Sequence, residues 1–359
     1  KEALLEIRGM EVHFETRRGI ARAVNEVDLT LYKGERFGLV GESGSGKTTL
    51  ILALLRMIKT PGFIAGGSAT FDDGTDLIQL SQADVRQARL ARVAMVPQGA
   101  MNSLNPVMRI GDQLILTMRE HGIEGEREEW LKRVEELLDK VGLKPEAARL
   151  YPHELSGGMK QRVCIAQAIS LNPQLILADE PTSALDVVVQ RQIMQTLRQL
   201  QHELDATVLL VGHDMGLMAQ FAERVGIMYG GKLVEVGTVH DIFHNPQHPY
   251  TQKLLSAVPD SSKPAEYKLA EEHALLQVKN LRTVFRKTHG PFWDRKTEET
   301  IAVNNISLDI HYGEILGLVG ESGSGKSTFG RSIMRLVDTE GGEVNLAGRD
   351  LLKLHNQEL

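Results

Sequence analysis

Residues 38–55 read GLVGESGSGKTTLILALL. An apolar run, ERFGLVG at 35–41, breaks into the glycine-rich GESGSGKT at 41–48, and KTTLILALLRMI at 47–58 has the apolar density of a packed helix. The pattern G-x-x-x-x-G-K-[ST], set between a buried strand and a helix, is a phosphate-binding loop. Backbone N–H groups must converge on phosphate oxygens with no Cβ in the way, which is why glycine recurs. The helix start adds free donors and a favourable dipole. Lys47 is placed to reach β- and γ-phosphates, and the Thr48 hydroxyl to coordinate Mg²⁺. Gly41, Ser43, Gly44, Ser45, Gly46, Lys47, Thr48 and Thr49 are therefore candidate nucleotide-binding residues.

The same stretch returns. AVNEVDLTLYKGERFGLVGESGSGKTT at 23–49 recurs as AVNNISLDIHYGEILGLVGESGSGKST at 302–328, and LLEIRGMEVHF at 4–14 recurs as LLQVKNLRTVF at 275–285. A repeat of this length marks a duplicated domain. Gly320, Ser322, Gly323, Ser324, Gly325, Lys326, Ser327 and Thr328 then form a second candidate loop, again expected behind an apolar strand. The second copy carries eight extra residues between Phe285 and Ala302, including Gly290, Pro291 and Trp293, which reads as a longer exposed hairpin tip. It has room for only about 85 residues before Leu359, so it is expected to be the opening third of its twin.

Composition narrows the class. Across 359 residues, 41 Lys and Arg stand against 47 Asp and Glu, a net charge of −6, and 42% are hydrophobic. That fits a folded protein with ample core and argues against a general nucleic-acid binder, which needs a basic face. No apolar run approaches the eighteen or so residues that span a bilayer, so any membrane role is expected to be peripheral. The single cysteine, Cys164, leaves no disulfide framework or Cys-rich metal site, and no targeting segment is legible from Lys1 onward. A cytoplasmic setting is the expectation.

Further motifs follow the first loop. Alternation over 4–14 and 23–32 predicts antiparallel strands, and 125–141 predicts an amphipathic helix burying Trp130, Val134, Leu137, Leu138 and Val141. LILA at 175–178 and ATVLLVG at 206–212 alternate with helical stretches, the pattern of an α/β domain with a largely parallel sheet. LSGGMKQR at 155–162 opens a helix through Ser156, Gly157 and Gly158. LILADEPTSALD at 175–186 ends a strand in Asp179 and Glu180, at the sheet edge where ligands collect, and His213 follows the next strand.

In their order and spacing, these residues resemble the nucleotide-binding subunits of ATP-binding-cassette (ABC) proteins, over essentially all of 1–240. The resemblance covers the Walker A loop, the Q-loop Gln98 in VPQG, the signature with Gln161, Walker B, the D-loop SALD at 183–186 and the switch His213. It implies an α/β P-loop NTPase fold with a mainly parallel core sheet, an antiparallel β subdomain and an α-helical subdomain, followed by the start of a second copy. The implied divisions are a first ATPase domain at 1–239 with its helical subdomain at about 99–172, an extension and linker at 240–272, and an incomplete second domain at 273–359. The resemblance implies that Asp179 is the Mg²⁺-linked carboxylate and Glu180 the base that orients attacking water. Gln98 becomes the sensor of γ-phosphate and metal, His213 a polar hook on the γ-phosphate, and Phe14 the aromatic that stacks on adenine. Metal contacts fall to Thr48, Gln98, Asp179 and Ser327. ATP in this family is sandwiched between two domains, so Ser156–Gly158 would serve the second loop, and the Lys47 site would need a signature from elsewhere in a longer chain.

HPYT at 248–251, followed by LL and VP, resembles the C-terminal segment of ATPases that power oligopeptide, dipeptide and nickel importers, as does NSLNP at 102–106. This implies ATP hydrolysis with Mg²⁺, two transmembrane permease subunits, an extracytoplasmic substrate-binding protein and a peripheral place on the cytoplasmic face, with no nucleic acid. The alternatives are a soluble tandem cassette ATPase acting on ribosomes, expected to carry a long charged helical linker, and the ATPase of a peptide exporter or a repair machine with a coiled-coil insertion. His240, His244 and His248 fall four apart, but Asn245 and Pro246 interrupt any helix joining them. Some importers of the HPYT type bind an iron–sulfur cluster through cysteines after this segment; none follows Cys164 here. Purified protein is therefore expected to carry no stoichiometric iron or acid-labile sulfide in colorimetric assays.

Overall fold

Alternating apolar residues near the N-terminus pair into an antiparallel ribbon, β1 (Ala3–Thr16) with β2 (Gly19–Tyr32). The computed structural model describes residues 1–99, 103–183, 185–257, 273–289 and 296–354. The chain divides into two compact units, residues 1–259 and 260–359.

In the first unit, β3 (Arg36–Val40) runs into the phosphate loop, and α1 (Lys47–Leu54) begins on its lysine. The helix stops short of the 47–58 run because Arg89 donates to the carbonyls of Leu55 (2.9 Å) and Arg56 (2.9 Å), closing its C-terminal end. β4 (Gly62–Phe71) completes a three-stranded sheet of order β2-β1-β4. After α2 (Gln82–Ala91) and β5 (Val93–Val96) comes a helical portion of α3 (Ile110–Arg119), α4 (Arg127–Lys140) and α5 (Gly157–Ile169). Trp130, Val134, Leu137, Leu138 and Val141 are buried along α4, as the helical spacing predicts.

The chain then returns through β6 (Leu175–Asp179), α6 (Val187–Leu204), β7 (Thr207–Gly212), α7 (Met215–Phe221), β8 (Arg224–Tyr229) and β9 (Lys232–Thr238). These strands form a six-stranded sheet of order β5-β6-β7-β3-β8-β9, parallel except for β9. Its apolar runs are continuous because both faces are covered. Leu175, Leu177, Leu209 and Val211 enter the core shared with α1 and the antiparallel sheet, whereas Ile176, Ala178, Val208 and Leu210 enter the core shared with the helical portion. The HPYT region folds as α8 (Val239–His244) and α9 (Pro249–Ser256) and belongs to the first unit. Val258 and Pro259, like Asn102 and Ala184 of the other quoted motifs, lie outside the described residues. No helix among the described residues is long and apolar enough to cross a membrane.

The second unit pairs β10 (Ala274–His289) with β11 (Lys296–His311) up to His289 and Lys296. The expected hairpin tip, with Gly290, Pro291 and Trp293, lies outside the described residues. α10 (Lys326–Ile333) follows the second loop, and β12 (Gly341–Leu346) and β13 (Arg349–Asp350) complete a sheet of order β11-β10-β12-β13. The apolar strand expected before this loop does not form. Residues 315–319 are irregular, with Ile315 94% and Val319 93% exposed. The corresponding β3 in the first unit is held by β7 and β8, and the described residues of the second unit offer no equivalent pair. An apolar run with no neighbouring strand cannot satisfy its backbone groups as a strand.

Leu39 is fully buried on β3, between β7 and β8. Leu39→Ala is expected to cost about 2–5 kcal/mol in stability, measured by chemical denaturation of the intact chain.

Candidate functional site

The C-terminal ends of β3, β6 and β7 lie side by side, and each delivers part of one cavity. From β3 comes the loop 41–48. Gly46 sits at φ 102, and a Cβ there would lie 2.2 Å from the Ala23 carbonyl oxygen, so only glycine fits. Gly41 is similarly constrained, since a Cβ there would lie 2.1 Å from the Met228 carbonyl oxygen. β2 and β8 thus clamp the loop from outside while its interior stays open. The cavity, about 530 Å³, is lined by Ser43, Gly44, Gly46, Lys47, Thr48 and Thr49 of the loop, by Ala23 beside Gly46, and by Gln98, Glu180 and His213.

Lys47 is buried, and its ammonium donates to the carbonyls of Gly41 (2.8 Å) and Glu42 (2.8 Å) and to the Ser45 hydroxyl (3.2 Å). Burial lowers its pKa from the ordinary lysine value, opposed by the charges of Glu180 and Asp179. From β6 comes Asp179, 1% exposed, whose Oδ1 accepts from the Thr48 hydroxyl at 3.1 Å. Burial holds its pKa above the usual carboxylate value, with the Thr48 hydrogen bond working the other way. Glu180 follows at φ 42. Its Oε2 accepts from Gln98 Nε2 at 2.9 Å and its Oε1 lies 3.0 Å from His213 Nδ1, so the carboxylate is gripped on both sides. Thr48, Asp179 and the Gln98 amide form an oxygen donor set suited to a hard divalent cation, and a buried carboxylate partnered by one hydroxyl is the group such a cation would stabilise.

The geometry therefore brings Lys47, Thr48, Gln98, Asp179, Glu180 and His213 together. It does not bring in the signature residues. Ser156 caps α5 by accepting from the Met159 amide (3.3 Å), Gly158 packs against Val189, and Gln161 is buried with no partner for its Nε2. Phe14 pairs with Gly62 on β4, its ring against that glycine, and is not among the cavity-lining residues. Ala23 belongs to none of the motifs; its one signal in the sequence is its return as Ala302 in the repeated Ala-Val-Asn. In the second unit, Lys326 donates to Gly320 O (2.5 Å), Glu321 O (2.6 Å) and Ser324 Oγ (3.2 Å), the same pattern as Lys47.

A family model described as ABC transporter matches residues 24–183 and 303–359, more than half of the chain. The chain belongs to the ABC transporter family. A second model, the C-terminal region of oligopeptide/dipeptide transporters, matches residues 234–282. The glutathione import ATP-binding protein GsiA of Salmonella typhimurium is 42% identical over 377 residues, covering 96% of this chain and 60% of the relative. Its counterpart in Escherichia coli strain K12 is 41% identical over 382 residues with the same coverage. The chain thus spans 60% of the length of these curated relatives. Among solved structures, an ATP-binding cassette in a dimeric post-hydrolysis state bound to ADP and Pi aligns with a TM-score of 0.59 at 29% identity, covering 66% of this chain and 99% of that one. A cassette from Clostridium perfringens, part of the cbiONQ transporter complex, shares the fold with a TM-score of 0.57 at 22% identity, covering 72% of this chain and 97% of that one. The ABC fold read from the motifs is the fold observed.

An acid with a raised pKa contributes stability below its unfolded value, 3.8 for Asp179, and loses that contribution as pH rises through the raised value. Above that raised value the ionised Asp179 therefore lowers the stability of the nucleotide-free protein. Asp179→Asn is expected to raise its melting temperature by about 2–4 °C, the equivalent of roughly 1 kcal/mol in a unit of this size. If these oxygen donors hold a divalent cation, the thermal shift that such a cation adds is expected to be lost in the same variant. Differential scanning fluorimetry at pH 7 with and without ligand measures both.

Proposed function

We propose that the chain is the ATP-hydrolysing part of an ABC importer for peptides or related small solutes. The observation that carries the proposal is the adjacent Asp179–Glu180 pair, with the Thr48 hydroxyl on one carboxylate and Gln98 and His213 on the other, facing the phosphate loop. Import of a peptide-type solute is supported by the match of residues 234–282 and by the glutathione-importing relatives. No helix among the described residues is long and apolar enough to cross a membrane, and the transport role proposed here calls for membrane permease subunits, with a substrate-binding protein beyond them.

The proposed roles follow from position. Lys47, freed from its loop carbonyls, binds the β- and γ-phosphate oxygens, and the loop amides from Ser43 to Thr49 surround them. Mg²⁺, held by Thr48, Asp179 and Gln98, and by Ser327 in the second unit, would supply charge compensation at the phosphates. Glu180 orients the attacking water, held in register by Gln98 and His213, which also read the γ-phosphate. Ser156–Gly158 serve the phosphate loop of a second cassette; support comes from their not being among this cavity's lining residues and from the dimeric relative. The residues Gly320–Thr328 repeat the first loop's internal hydrogen bonds and are proposed to bind ATP when their own strand is held in a sheet. Contacts to the γ-phosphate, which ADP lacks, would favour a closed pair of cassettes, so hydrolysis reopens it.

Glu180→Gln keeps the shape of the side chain and removes its charge. Its expected effect is a fall in ATP turnover of about 100-fold or more, with the equilibrium affinity for ATP unchanged within about twofold. Phosphate-release kinetics and nucleotide titration of the importer complex measure the two; undiminished turnover would remove Glu180 from the mechanism. Co-purification with ribosomes rather than membrane proteins would overturn the importer reading.

A further inference from the structure

The HPYT segment touches the phosphate loop. Tyr250, in the first turn of α9 and only 7% exposed, accepts the amide N–H of Glu42 on its phenol oxygen at 3.0 Å. The carbonyl of that same residue accepts the Lys47 ammonium. One residue of the loop is thus held from both ends, by the reacting-centre lysine on one side and by a residue 208 positions later on the other. Amide and carbonyl of Glu42 belong to successive peptide planes that meet at its Cα, so fixing the first limits where the second can point.

Tyr250 is itself aimed. Its ring stacks on Tyr229 with centroids 4.2 Å apart, and Tyr229 ends β8, just before the turn whose Gly231 amide donates to Ser45 O in the loop (3.1 Å). The start of α9 is built on one carboxylate. Glu235 on β9 accepts the amides of Gln247 (2.7 Å) and His248 (3.0 Å) and the hydroxyl of Thr251, while His248 Nδ1 accepts the Tyr250 amide (3.2 Å). Within HPYT, the histidine therefore caps the helix, the tyrosine reaches the loop and the threonine tethers the turn to β9. A tail needed only as a linker would require none of these.

We propose that the HPYT segment braces the phosphate loop, with Tyr250 as a positioning residue that sets the Glu42 peptide and through it the place of Lys47. The brace rests on the reading of the loop as an ATP site. It makes the C-terminal region a handle on that site, because anything that displaces α9 releases the Glu42 amide. Without the phenol oxygen, the loop samples arrangements in which Lys47 and the loop amides do not converge, and the apparent dissociation constant rises as the competent fraction falls.

The test is equilibrium titration of the whole chain with MgATP and with MgADP. Tyr250→Phe retains the ring and its stacking on Tyr229 and deletes one oxygen. Its expected effect is a rise in Kd of about three- to tenfold for both nucleotides, the range of one lost hydrogen bond to a half-buried amide. Glu235→Ala, which touches no part of the loop, should weaken binding in the same direction by releasing the start of α9. Loss of folding stability alone would lower the melting temperature and the active fraction and leave the Kd of the folded molecules unchanged. Affinity of Tyr250→Phe within about 1.5-fold of the parent, while Lys47→Ala loses nucleotide, overturns the brace. If Lys47→Ala also binds MgATP as before, the ATP-site reading falls, and the brace falls with it.

Discussion

The pairing of β3 with β7 on one side and β8 on the other is the constraint on which the rest of the site depends. β7 and β8 begin at Thr207 and Arg224, far beyond β3 at Arg36–Val40, so the loop is held only once the chain has passed through the whole helical portion and returned. The two units make the point by contrast. The sequence of the second loop nearly repeats the first, and its lysine is folded onto the same carbonyls, yet the apolar run before it is unpaired and exposed. Local sequence is sufficient for the loop's internal hydrogen bonds and insufficient for the strand beneath it. The phosphate loop is a local structure on a non-local foundation.

The same sheet edge gives two neighbouring carboxylates different surroundings. Asp179 is the last residue of β6 and remains buried against Thr48, where desolvation works against its charge. Glu180 leaves the strand with a left-handed backbone while its amide still donates to Val211 O at 3.0 Å, so the strand's hydrogen bonding continues as the side chain swings into the cavity. A left-handed non-glycine residue costs about 1–3 kcal/mol where nothing compensates. Here Gln98 and His213 hold the displaced carboxylate, and the left-handed conformation falls on the residue proposed to orient the attacking water.

Much of this is legible in the sequence because the motifs are short, ordered and chemically demanding. Gly41–Thr48, Asp179, Glu180, Gln98 and His213 each stand out in the sequence for a chemical reason, and the fold gathers Lys47, Thr48, Asp179, Glu180, Gln98 and His213 in one place, while the buried face of α4 follows from its spacing. What is not legible depends on contacts between distant residues. The helix starting at Lys47 ends early where a guanidinium from Arg89 takes the carbonyls of Leu55 and Arg56 just past its end, and no pattern within 47–58 announces that. Ala23 enters the cavity through its place beside Gly46 in the fold, not through any property of alanine. Phe14, an aromatic on a strand, packs on Gly62 and is not among the cavity-lining residues, since a sheet neighbour without a side chain leaves a slot for its ring. The HPYT letters are plain in the sequence, but that the tyrosine takes an amide from the phosphate loop can be read only in three dimensions.

The resting position of Lys47 has a thermodynamic corollary. Its charge is already solvated by three oxygens of its own loop, so ligand entry is an exchange in which those contacts are surrendered as new ones form. Affinity is then set by the difference between two well-coordinated states. An incoming anion must offer the ammonium more than two carbonyls and a hydroxyl already do, which disfavours weakly charged or singly coordinating anions and favours a polyphosphate. The loop is thereby insulated against the many small anions of its surroundings by a competitor it carries itself.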